Sequence, residues 1–135
     1  MENKKKICIT AQGKNLDAFL DPRFGRAVYF LFINNKGKLI KAIKNPGIEA
    51  IRGAGITAAQ IVVDQKVEAV ITGNVGPNAV RVLNSSGVKI FIASPGIKVA
   101  DAFKEYQEGK LQEISESAYR PGFGRGQGCG FGRRI

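Results

Sequence analysis

The stretch Val67-Glu-Ala-Val-Ile-Thr-Gly-Asn-Val-Gly-Pro-Asn-Ala-Val80 decides how the rest of the chain is interpreted. Its β-branched run, residues 70–72, predicts a short buried strand that ends at a glycine-flanked turn, residues 73–76. Pro77 then suits the first position of a helix, because proline has no N–H to lose and its φ angle is already helical. This arrangement turns backbone N–H groups and the positive end of a helix dipole toward one place, which favours an anion.

The size and composition of the chain predict one globular domain. Its 135 residues are 44% hydrophobic and 24% charged, which is enough for a core of ordinary composition. No apolar run approaches the ~18 residues of a membrane helix, and residues 7–11 are too few for a signal-peptide core, so we expect a cytoplasmic protein. Lys+Arg is 21 against 11 for Asp+Glu, and this net charge of +10 favours anionic partners, with solubility as the competing explanation.

Apolar patterning predicts three strands followed by alternating helices and strands. Asn34-Asn-Lys-Gly37 supplies turn chemistry for a hairpin between the second and third strands. Leu111 and Ile114 are expected to fold back on the core. An antiparallel hairpin followed by βα units implies a mixed sheet covered by helices. The strands are expected at residues 7–10, 27–33, 39–43, 69–72 and 88–93, and the helices at 56–66, 77–85 and 99–108.

The residues that common catalytic chemistry requires are missing. Two-metal nuclease chemistry needs converging carboxylates, but the predicted central strands offer Cys8, Thr10 and Thr72 in their place. The chain contains no histidine, so a cysteine or serine nucleophile lacks its usual base, and Cys8 is interpreted as a small buried hydrophobe. With two cysteines and no histidine, a closed zinc site within one chain is excluded. We therefore expect no enzymatic activity.

Three glycine-containing loops, residues 23–26, 53–55 and 73–78, form the candidate binding site. Two of them lead into predicted helices, and the first places two cations around a glycine. In open α/β sheets, ligands bind outside the carboxyl ends of the strands, where these loops are expected to gather. The candidate cofactor-binding residues are Arg23, Gly25, Arg26, Gly53, Gly55, Asn74, Gly76 and Asn78.

The same loops carry a family resemblance. Arg23-Phe-Gly-Arg-Ala27, then Gly53-Ala-Gly-Ile56 with Ala58-Ala-Gln60, then Thr72-Gly-Asn-Val-Gly-Pro-Asn-Ala79 resemble the successive motifs of the dinitrogenase iron–molybdenum cofactor biosynthesis family. The resemblance spans residues 7–114 and implies a ribonuclease H-like, three-layer α/β/α fold. The implied sheet is mixed and five-stranded, in the order 3-2-1-4-5, with the first hairpin antiparallel.

The resemblance also implies a function. It suggests a non-enzymatic binding or carrier protein for an anionic iron–sulfur or iron–molybdenum-type cluster or its precursor, with iron–sulfur assembly proteins as partners. Arg23, Arg26 and backbone N–H groups would hold such a cluster by its outer shell. Cys129 is the candidate metal ligand, because thiolates are the usual ligands of iron–sulfur clusters.

The expected domain organisation is a basic extension at residues 1–6, the family-like domain at 7–117 and a disordered tail at 118–135. The tail has glycine at every second residue from 122 to 132 and buries too little to offset its chain entropy. Its Arg, Gly and Phe residues are typical of segments that bind single-stranded nucleic acid, so a nucleic-acid-binding module is one alternative function. A protein-interaction domain without a small ligand is the other.

Overall fold

A computed structural model of the protein describes residues 6–45, 54–94 and 96–114. All the predicted strands and helices are present, with boundaries shifted by at most two residues. Lys6, which we expected in the N-terminal extension, begins the first strand. The elements are β1 (Lys6–Ala11), β2 (Tyr29–Asn34), β3 (Leu39–Lys44), α1 (Ala54–Asp64), β4 (Ala69–Thr72), α2 (Pro77–Ser85), β5 (Lys89–Ile92), α3 (Val99–Gln107) and β6 (Gln112–Ile114).

The strands form one mixed sheet in the order β3-β2-β1-β4-β5-β6. β2 is antiparallel to both of its neighbours, β1 and β3. β4 is parallel to both of its neighbours, β1 and β5. The chain is therefore an α/β protein with a mixed sheet and three helices. No helix in the described part of the chain is long and apolar enough to cross a membrane.

The prediction of a five-stranded sheet is wrong, because the sheet has six strands. Residues after α3 pair antiparallel with β5 as β6, which brings Ile114 opposite Ile90. Ile114 packs against the apolar core on one face of the sheet. Without β6, β5 would be an edge strand with unpaired backbone N–H and C=O groups, so the pairing satisfies those groups as well.

Helices cover both faces of the sheet. α1 and α2 pack on the face that carries Phe30, Phe32 and Val70, whereas α3 packs on the opposite face. The alternation follows from the two-residue period of a strand, which sends neighbouring side chains to opposite faces. Cys8 is fully buried in the first of these cores, and burial raises the pKa of its thiol, so the expectation of a small buried residue at this position is confirmed.

Tyr106 gives the fold a feature that titrates at alkaline pH. Its hydroxyl, on α3, donates a hydrogen bond to Oε2 of Glu68 at 3.1 Å. Partial burial, and secondly the negative charge of Glu68, raise the pKa of Tyr106 to about 12. Because this pKa lies above the value of about 10 for an unfolded tyrosine, the stability that the hydroxyl contributes is complete below about pH 10. It is lost as the pH rises through 12.

We therefore expect an absorbance titration of tyrosinate to show a step near pH 12. The Tyr106→Phe variant keeps the ring and its edge-on contact with Phe91, whose centroid lies 5.1 Å away, but should lack this step. A wild-type titration that is already complete well below pH 12 would contradict the assignment.

Candidate functional site

A cleft of about 210 Å³ lies where a loop following β1 meets the starts of α1 and α2. These segments gather at the carboxyl ends of β1 and β4, as expected for ligand sites in open α/β sheets. Four of the eight residues predicted from sequence line the cleft together: Gly25, Gly55, Gly76 and Asn78. The other lining residues are Phe24, Ile56, Pro77 and Ala79.

The turn between β4 and α2 passes directly against the loop after β1 at Gly73. A Cβ atom on Gly73 would lie 2.7 Å from Cα of Pro22 and 3.0 Å from its carbonyl oxygen, closer than real Cβ contacts. Beside this contact, the Phe24 N–H donates to the Asn74 carbonyl at 3.0 Å, and Arg23 and Asn74 form a parallel β-bridge. Glycine at position 73 therefore allows two walls of the cleft to meet.

Asp21 anchors the loop that carries Arg23 and Gly25. Its carboxylate is completely buried and accepts hydrogen bonds from the backbone N–H groups of Arg23 at 3.0 Å and Val28 at 3.2 Å. It also accepts hydrogen bonds from Nε and Nη2 of Arg23, at 3.2 and 3.3 Å. These side-chain bonds, and the charge of Asp21, raise the pKa of Arg23. The same four bonds hold the start and the end of the loop on one carboxylate.

Asn45 holds the loop from the other side. Its side chain is buried, and Nδ2 donates to the carbonyl oxygens of Gly25 at 3.1 Å and Ala27 at 2.9 Å. Its own N–H donates to the Val28 carbonyl at 3.0 Å. The Gly25 carbonyl, whose partial negative charge opposes an anion, is thereby hydrogen-bonded to an amide donor within the protein.

Two buried threonines connect the loop to the sheet. The Thr10 hydroxyl lies 2.7 Å from the Asp21 carbonyl oxygen and 2.8 Å from the Thr72 hydroxyl. A hydroxyl has one proton, so Thr72 donates to Thr10 when Thr10 donates to the carbonyl. These hydroxyls tie the ends of β1 and β4 to the loop.

The electrostatics of the cleft come from two helix N-termini. Neither α1 nor α2 has an acidic residue in its first turn, so no side chain of either first turn neutralises the positive end of the helix dipole. Gly76, the N-cap of α2, makes no side-chain capping hydrogen bond. The first N–H groups of that helix therefore lack the usual side-chain acceptor. A Cβ on Gly76 would meet no atom within 4 Å, so the space beside it is open.

The remaining predicted residues are placed differently. The Arg23 side chain is 58% exposed and points to Asp21, and the cleft lining includes neither it nor Arg26. The backbone carbonyl of Asn74 accepts the hydrogen bond from Phe24, but Asn74 does not line the cleft. Gly53 and Cys129, together with the tail, lie outside the described residues.

The sequence analysis overlooked Asp21, Asn45 and the apolar part of the lining. Asp21 precedes Pro22, and an aspartate that accepts the N–H two residues later is the pattern of an Asx-turn. Phe24 and Ile56 each adjoin a glycine of the predicted loops, which is the signal that could have identified them. Phe24 is 1% exposed and packs on Phe30, while Ile56 is 39% exposed at the rim.

The described residues offer donors and apolar surface but no metal-binding cluster. Within residues 6–45, 54–94 and 96–114, no three Cys, Asp or Glu side chains are grouped so that they could hold a metal ion. Cys8 is buried on the face covered by α1 and α2. The cleft is thus suited to a compact anion that accepts hydrogen bonds.

Known proteins resemble this chain over most of its length. A family model described as dinitrogenase iron-molybdenum cofactor matches residues 5–109. The apo form of the orange protein from Desulfovibrio gigas is similar with a TM-score of 0.78 at 30% identity, over 84% of this chain and 96% of that one. A putative NifB protein from Thermotoga gives a TM-score of 0.72 at 32% identity, over 87% and 99%. An uncharacterized protein of Methanocaldococcus jannaschii is 30% identical over 98 residues, 70% of this chain and 82% of that protein.

Proposed function

We propose, because the chain belongs to the dinitrogenase iron-molybdenum cofactor family, that it is a non-enzymatic carrier of an anionic iron–sulfur or iron–molybdenum-type cluster or its precursor. The observation that carries this proposal is the cleft between two helix N-termini without acidic residues in their first turns. The carrier acts in the cytoplasm, with iron–sulfur assembly proteins as its partners.

The cluster brings most of its metal ligands with it, and Cys129 of the tail is the auxiliary ligand that the chain adds. Among the described residues the cysteine is buried and no metal-binding group is present, so the cleft holds the outer shell of the cluster. Backbone N–H groups at Gly25, Gly55 and Asn78 would donate to the anion, and Phe24 and Ile56 would contact its less polar surface, since all five residues line the cleft. The volume of about 210 Å³ is below the roughly 300–1,000 Å³ of pockets for drug-sized ligands and favours a compact group.

The similar proteins support the proposal that this chain carries a cofactor. The orange protein structure is that of an apo form, which implies that this relative also has a loaded form. The family description itself names the iron–molybdenum cofactor. A small domain of the same fold with an acid-free cleft is suited to the same task.

The test is anaerobic reconstitution with an iron–sulfur cluster or an iron–molybdenum cofactor precursor, followed by gel filtration. We expect a chromophore to elute with the wild-type chain. Gly76→Val should weaken its retention roughly tenfold or more, because the added side chain enters open space beside the N–H donors and separates the anion from them. The backbone at Gly76, with φ −75° and ψ 165°, accepts valine without strain.

Three further variants complete the experiment. Arg23→Ala with Arg26→Ala should also weaken retention, whereas removal of two exposed lysines elsewhere, Lys14→Ala with Lys104→Ala, should not. Cys129→Ser removes the thiol of the tail, so the chromophore that this variant retains is held by the cleft alone. The proposal is wrong if no chromophore co-elutes, or if both Gly76→Val and the double arginine variant retain it like the wild type.

A further inference from the structure

We propose that the β2–β3 hairpin is a docking surface for an acidic segment of a partner protein, which pairs as a strand with the free edge of β3. The inference stands on the hairpin itself and does not depend on what the cleft holds. Three features support it: the charge of the hairpin, the geometry of its edge and the lack of an acidic segment against that edge among the described residues.

The hairpin belongs to a continuous cationic segment. Residues 23–48 contain six Lys or Arg residues and no Asp or Glu. The four lysines of the hairpin, Lys36, Lys38, Lys41 and Lys44, are exposed. None of them forms an ion pair in the described part of the chain. Their charge is therefore open to a ligand of opposite sign.

The edge of the sheet at β3 is available for pairing. β3 is the outermost strand and bonds only to β2, so its outer N–H and C=O groups have no partner among the described residues. The register shifts between Phe32 and Ile33, and Ile40 is the extra residue on β3 with 51% exposure. Lysines and a bulge at an edge normally prevent pairing with other copies of the same chain. The lysines do not oppose a strand that carries carboxylates, and residues 41–44 pair in regular register beyond the bulge.

The occupant is acidic and comes from another protein. A second copy of the chain would bring the same four lysines against this edge and would be repelled. The chain's own residues 118–135 contain arginines and no acid, and residues 1–5, 46–53 and 115–117 carry one glutamate each, too few to match four lysines. Nucleic acid is less favoured, because single-stranded binding uses exposed aromatic platforms and the exposed apolar residue of the hairpin is the aliphatic Ile40. Lys41 pairs with Phe32 and Lys44 with Tyr29, so these lysines lie on opposite faces of the sheet. A strand that carries carboxylates on both faces fits the lysines and the edge together.

The hairpin leads to the cleft. Lys44 pairs with Tyr29 at the end of β3, and the next residue, Asn45, donates to the Gly25 carbonyl in the lining. A partner bound along β3 therefore lies beside the cleft.

The probe for this surface is a dye-labelled peptide of glutamates and valines with glutamates on both faces of the strand, titrated by fluorescence anisotropy at low salt. Replacement of Lys38, Lys41 and Lys44 by glutamine should weaken binding about tenfold, the combined effect of three exposed pairs. The matched control replaces Lys14, Lys89 and Lys104, which are exposed on other elements, and removes the same charge. The control should change the affinity less than about twofold.

Two comparisons define the remaining outcomes. A peptide whose backbone amides are methylated on one edge should bind more weakly, because it cannot pair with β3. The proposal is overturned if the control variant loses as much affinity as the hairpin variant, or if methylation has no effect. It is also overturned if oligothymidylate binds the hairpin more tightly than the peptide does, which would assign the surface to nucleic acid.

Discussion

Gly73→Ala is expected to lower the free energy of unfolding by about 3 kcal/mol, at the upper end of the usual range for overpacking. The new methyl group would lie 2.7 Å from Cα of Pro22 and 2.9 Å from its Cβ. The nearest atom belongs to the backbone, so no side-chain rotation relieves the contact, and the two loops have to separate. Urea unfolding followed by circular dichroism measures the change.

The separation should also affect the cleft. The Phe24–Asn74 hydrogen bond and the Arg23–Asn74 bridge lie beside Gly73, so both are expected to break. Gly76→Ala is the matched control, since its methyl group meets no atom within 4 Å and its backbone is in an ordinary extended conformation. A Gly73→Ala protein with the wild-type urea midpoint would contradict the close approach of the two backbones.

Asp21→Ala is expected to cost about 2–4 kcal/mol of stability, because the backbone N–H groups of Arg23 and Val28 both lose their acceptor in a partly buried position. The loop should lose its fixed position, and hydrogen exchange at these two amides should accelerate more than exchange in β1. Asp21→Asn keeps the shape and one acceptor oxygen, so we expect an intermediate loss.

Arg23→Ala is the variant that separates the two roles of this carboxylate. It removes the guanidinium bonds and keeps both backbone bonds, so it should cost about 1–2 kcal/mol, because the buried carboxylate of Asp21 keeps its two backbone donors. The expected order of destabilisation is Asp21→Ala, then Asp21→Asn, then Arg23→Ala. If Arg23→Ala is as damaging as Asp21→Ala, the ion pair and not the backbone bonding anchors the loop.

Much of the fold could be predicted because the longer elements have clear periodicity. β4 and α2 appear at the predicted residues, since a β-branched run and a proline at the first helical position are strong local signals. β6 has one apolar residue in three, Gln-Glu-Ile, and no local signal of that length identifies a strand. Its pairing follows from the open edge of β5, which exists only in the folded sheet.

The candidate site was predictable only in part for a similar reason. Glycines mark the loops in the sequence, and Gly25, Gly55 and Gly76 do meet at the cleft. Asp21 and Asn45 act on backbone groups of the loop, and the composition of a sequence does not show which backbone groups a buried polar side chain will meet. The direction of the Arg23 side chain depends on Asp21 in the same way.

The origin of the three glycines that line the cleft has a consequence for the lifetime of the protein. Gly25, Gly55 and Gly76 come from segments far apart in the sequence, so the unfolded chain contains no cleft. A group bound there links these segments without a covalent bond, and by mass action it stabilises the folded chain by about 2.7 kcal/mol at a hundred times its dissociation constant. With the proposed function, an empty carrier opens more often than a loaded one and is degraded sooner. Turnover would then select the molecules that hold a cluster.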